Sequence, residues 1–157
     1  MKFLYAIPAG LAATAAMTAF LYLLSFLTHR VMKVAKILGT MITRQTGPDG
    51  SLSDSTNAKV VGNIAHYLIG IFFAVVYLAL WDSGVGLITA SWGLFFGLAH
   101  GIVAMVMWYF FFMLHPNPPI IPLRTYLLTL IVAHLVYGFV ATYTFYLLLK
   151  PDYAFWW

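Results

Sequence analysis

Four long apolar stretches dominate this sequence. A helix needs about 20 mostly apolar residues to cross roughly 30 Å of hydrocarbon. Four segments qualify, at about 3–28, 60–81, 87–114 and 125–149. Hydrocarbon offers backbone groups no partner, so each stretch must satisfy its own hydrogen bonds as a helix. The expected fold class is therefore all-α, a transmembrane four-helix bundle forming a single domain over 1–157. Composition agrees: 8% of the residues are charged and 63% hydrophobic, whereas a soluble domain carries about 25% charged residues. The first stretch has Lys2, an apolar run and a small-residue cluster at Ala12, Ala13, Thr14, Ala15 and Ala16, as a cleaved signal would. Its run continues to Leu27, past the length of a signal core, so a retained span is expected.

Basic residues set the expected orientation. Arg30, Lys33, Lys36, Arg44 and Lys59 lie between the first and second spans, and Arg124 between the third and fourth. Only Lys2 and Lys150 lie on the other side. The positive-inside rule then places these two loops in the cytoplasm and both termini outside. Topology accounts for the net charge of +4, so nucleic acid is not an expected partner and the lipid bilayer is. Asp82 to Gly86 reads as a tight outer turn, and His115-Pro116-Asn117-Pro118-Pro119 as a stiff inner loop. The aromatic tail Tyr153, Phe155, Trp156 and Trp157 is expected in the outer interface.

Residues 31–45 differ from the spans. Val31, Val34, Ala35, Leu38, Met41 and Ile42 recur at helical spacing, with Lys33, Lys36, Thr40, Thr43 and Arg44 opposite. This pattern predicts a cytoplasmic interfacial amphipathic helix, apolar side toward acyl chains, with Arg30, Lys33, Lys36 and Arg44 at the membrane surface. The alternative is a cytoplasmic extension of the first span. Gly47-Pro48-Asp49-Gly50 ends it, and Ser53 to Asn57 offers caps for the next helix.

The second and fourth spans share a motif. Ala65-His66-x-x-x-Gly70 matches Ala133-His134-x-x-x-Gly138, and Gly10-Leu11-Ala12 in the first span matches Gly97-Leu98-Ala99 in the third. Two copies of a helical hairpin would give this pattern, related by an axis along the membrane normal. Gly93, Gly97 and Gly101 recur every fourth residue and predict a helix-packing stripe.

The candidate site is a trio of histidines within spans: His66, His134 and His100. Polar groups in hydrocarbon are costly and normally turn inward. On the second span Asn63, His66, Gly70 and Tyr77 share a face, and on the fourth His134, Gly138, Ala141 and Phe145 do. Three readings stand open. In the first, each histidine serves only to bond a neighbouring helix, worth about 0.6–2 kcal/mol. In the second, His66 and His134 hold a haem iron, as in haem b, with the glycine after each leaving room for the macrocycle. Or the trio holds a bare metal ion, or lines a quinone or lipid pocket.

Absences narrow the chemistry. With no cysteine, disulfides, iron–sulfur clusters and thiolate zinc sites are excluded. No Asp, Glu, Lys or Arg lies within a span, and no serine nucleophile motif, HExxH or phosphate loop is present. A non-catalytic protein is expected.

The run Ala9-Gly10-x-x-Ala13-Thr14-x-Ala16-Met17-Thr18, then Leu38-Gly39 with Met41, then Ala65-His66-x-x-x-Gly70 with Ala74 and Tyr77, resembles families of small bacterial four-helix membrane proteins of unknown function. The resemblance spans most of the chain and implies a bacterial inner membrane, with no ligand or activity attached. Three functions follow as expectations. One is an accessory or assembly subunit meeting other membrane subunits or a second copy of itself. Another is a haem- or metal-binding bundle. The last is a small transporter or lipid-handling protein, which requires a cavity around His100.

Overall fold

The computed structural model describes residues 2–30 and 32–156, so Val31 and Trp157 lie outside the described residues. A turn of 3-10 helix at Lys2–Tyr5 leads into α1 (Ala6–Thr28); then come α2 (Val34–Ile42), α3 (Thr56–Asp82), α4 (Ala90–Leu114) and α5 (Leu123–Leu149). Among the described residues there is no strand. The four long helices are each apolar and long enough to cross a membrane, and they match the four expected spans to within a few residues. Pro8 sits in the first turn of α1, where a missing N–H breaks no helical bond. Ser55 caps α3, its hydroxyl accepting from the Ala58 N–H at 3.1 Å. The chain is a multi-pass, four-helix membrane bundle with one short extra helix.

Helix order follows from where small residues permit contact. α1 packs on α3 and on α5, and α5 packs on α4, giving the spatial sequence α3, α1, α5, α4. A methyl carbon added at Gly10 would fall 2.6 Å from Ile71 Cα, and one at Gly138 2.6 Å from Gly97 Cα. Both distances are below van der Waals contact, so glycine alone allows these backbones to lie so close. The two hairpins thus pair corresponding glycines, Gly10 with the Gly70–Ile71 turn and Gly97 with Gly138, as the repeat expects. Gly93 lies against Thr142 and Gly101 against Ile131, so the whole expected stripe is spent on the α4–α5 seam.

Strict repetition then fails at one seam. α1 and α5 approach closely, but the equivalent pair, α3 and α4, is held apart by large rings. Tyr77 and Trp81 meet Phe96 at centroid distances of 5.3 and 5.8 Å, and Phe73 stacks on His100 at 3.7 Å. The α1–α5 seam is closed; aromatics on α3 and α4 prop the other open.

Three local expectations are corrected. α2 is shorter than 31–45, and its apolar face lies on the start of α3 rather than on acyl chains: Ile37 is fully buried, and Gly39 and Gly62 meet backbone to backbone. Thr40, expected among the outward polar residues, is fully buried; its hydroxyl donates to the Lys36 carbonyl and accepts from the Ser53 N–H. Asn63 is exposed and donates to the Lys59 carbonyl, so Gly62 and not Asn63 shares the inward face with His66. The tail folds back onto the bundle. Phe155 is buried against Tyr143 and Tyr146, and its carbonyl accepts from Ala90 N–H at 2.7 Å.

Basic residues gather at the end where α1 and α4 finish. Lys36 and Lys59 flank Asp54 at 2.9 and 3.4 Å, Arg30 donates to the Thr125 hydroxyl, and Lys33 lies 5.2 Å from the Tyr22 ring centre. Exposed Arg44, at φ 55°, follows α2. At the opposite end Lys2 meets Asp82 at 3.4 Å.

Candidate functional site

The open seam between α3 and α4 is a cavity of about 770 Å³, within the range of ligand pockets. α3 and α4 form its sides, α1 and α5 its floor, and α2 with the α4–α5 loop its basic end. Along α4 the lining runs from His100 to His115, about 22 Å at helical rise. Its rim includes Phe72 on α3 and Val103, Met107 and Phe110 on α4, all exposed on the outer surface of the bundle. The cavity therefore opens sideways, toward where acyl chains lie.

All three intramembrane histidines line it. Each is 6–7% exposed, so all three turn inward as expected, and together they form its deep polar end. His66 Nε2 lies 3.2 Å from the Thr18 hydroxyl of α1. The His134 Nδ1–H donates to the Leu130 carbonyl one turn back at 2.6 Å. That bond fixes the tautomer, leaving Nε2 with the lone pair. His100 meets His134 edge-on with ring centres 4.3 Å apart, and its Nδ1 lies 3.5 Å from the Tyr77 hydroxyl. The Tyr137 hydroxyl donates to the Gly70 carbonyl, tying α5 to α3 beneath the histidines.

Two chemical readings of the trio lose ground on this geometry. Among the described residues no group of three or more His, Cys, Asp or Glu is placed to hold a metal ion, so the trio is not a three-histidine metal set. Nor do Gly70 and Gly138 leave space for a macrocycle. A side-chain carbon at Gly70 would strike the Thr14 hydroxyl, and one at Gly138 would strike the backbone of α4. These glycines are there to let helices touch.

The basic end is closed by His115, which sequence spacing marked only as a helix terminus. Its Nε2–H donates to the Met41 carbonyl at 2.9 Å and its Nδ1 accepts from Asn117 N–H at 3.2 Å. The proline-rich loop is thereby latched onto α2. No family model, no curated protein and no solved structure matches this chain.

Proposed function

We propose that this chain is a non-catalytic membrane protein that holds a long-chain amphiphile in the side-opening cavity between α3 and α4. The observation that carries this reading is the cavity itself. It is large and mostly apolar, continuous with the lipid-facing surface, and polar only at its histidine end and at the Arg44–His115 end. A packed helical core leaves few voids larger than a water molecule, so an opening of this size between spanning helices asks for an occupant. Residence in a bacterial inner membrane, with the basic end in the cytoplasm, belongs to the same proposal and rests on the charge asymmetry. An accessory role within a larger complex is compatible with it. The four long helices hold 102 of the 157 residues, so a partner would be met mainly within the bilayer.

Native mass spectrometry of protein extracted in mild detergent tests the proposal. The wild type is expected to carry one bound amphiphile. Ala104→Trp, which fills the middle of the cavity, is expected to lose it while retaining its helix content. A wild type free of any retained amphiphile would refute the reading.

A further inference from the structure

The deep end of the cavity carries an unanswered polar group. The fully buried polar side-chain atoms without a partner among the described residues are the Thr14 and Tyr126 hydroxyls and Trp81 Nε1. His134 Nε2 has no hydrogen bond among the described residues, yet it is not one of these sealed atoms. Its lone pair therefore opens onto the cavity that His134 lines. A lone pair held there in a low-dielectric setting is complemented by a hydrogen-bond donor. A Tyr77 hydroxyl that donates to His100 Nδ1 leaves the His100 proton on Nε2. His134 then offers an acceptor and His100 a donor, on rings whose centres lie 4.3 Å apart. One hydroxyl can answer both, donating to His134 and accepting from His100. A carbonyl can answer only His100.

The rest of the cavity describes what carries that hydroxyl. Phe73, Trp108, Phe111 and Tyr137 line it, surfaces suited to a flat conjugated ring. From the histidines it runs about 22 Å along α4 to the basic end, longer than one leaflet of roughly 15 Å. We infer that the occupant is a long-tailed hydroquinone, its ring hydroxyl bonded to His134 Nε2 and its tail lying along α4 toward His115. The inference rests on the amphiphile-holding reading above and adds the headgroup and its reduced state. It concerns binding alone and involves no electron transfer by the protein.

The full-length protein in nanodiscs, titrated with decyl-tailed benzohydroquinone and with the corresponding quinone under anaerobic conditions, tests it without any substitution. The reduced form is expected to bind about tenfold tighter, the effect of one neutral hydrogen bond together with an acceptor otherwise left unpaired. His134→Phe is expected to bring the two forms level, mostly by weakening the hydroquinone. Decanol, which has the hydroxyl without the ring, is expected to bind more weakly than the hydroquinone. Equal binding of both redox forms, or decanol matching the hydroquinone, overturns the inference while the cavity reading stands. Should neither quinone form bind although a native amphiphile co-purifies, the headgroup assignment falls alone. Should nothing bind and nothing co-purify, both fall.

Discussion

At the scale of single residues, glycine and histidine divide the work. Gly97 holds α4 on α5: a side-chain carbon there would lie 2.5 Å from the His134 carbonyl oxygen and 3.0 Å from Leu135 Cα. Gly97→Leu is expected to lower stability by about 1–3 kcal/mol or more, as overpacking does, read as a fall in the melting temperature in detergent. Gly84, where an added carbon meets nothing within 4 Å but φ is +85°, makes the contrast. Gly84→Ala is expected to lose only the smaller amount due to backbone strain, about 1 kcal/mol. Removing the Thr18 partner of His66 by Thr18→Val should cost about 0.6–2 kcal/mol in the same assay. The histidine positions and the glycine stripe were legible in the sequence, since polar groups in apolar runs and four-residue periodicity are local signals. What each glycine touches was not. Room beside Gly70 and Gly138 looks the same in sequence whether a macrocycle or a neighbouring helix fills it.

Among the elements, α2 shows where local pattern and tertiary packing part. Its amphipathicity predicts a helix, but the same pattern serves a lipid surface or a protein surface. Gly39 against Gly62 decides for the protein, and with it Thr40 turns inward to cap Ser53. Beside it, the Asp54 carboxyl is held below the usual carboxylate range by hydrogen bonds from Lys36 and then Lys59. A carboxyl lowered on folding stabilises above its unfolded value near 4, and the contribution fades as pH falls through the folded value. Because Asp54 is open to solvent, salt should weaken the effect. Asp54→Asn is expected to flatten the fall in melting temperature between pH 5 and about pH 3, with less difference at high salt. His115 provides the second test at this scale. His115→Ala removes the bond to the Met41 carbonyl, and hydrogen exchange is expected to speed up in 115–120 and at the end of α2 while α3 to α5 keep their protection.

For the whole molecule, four spans and their hairpin pairing were legible because hydrophobic length and charge asymmetry are properties of the chain alone. The cavity was not. It arises from a broken symmetry, in which α1 packs closely on α5 while Phe73, Tyr77 and Phe96 hold α3 off α4, and only assembly brings those rings together. The chain has no cysteine, so single-cysteine variants need no background removed. Cysteines at Ser51 and Ser83 are expected to label from opposite sides of sealed vesicles, Ser51 from the cytoplasmic face. If the α3–α4 seam holds an amphiphile, it selects that amphiphile from the bilayer. A photoactivatable benzophenone side chain placed at Met107, on the cavity rim, and separately at Leu147, exposed but outside the cavity lining, tests this selection in intact membranes. Adducts at Met107 are expected to be dominated by one amphiphile, and adducts at Leu147 to match bulk lipid. The same bulk-lipid distribution at both positions would contradict it.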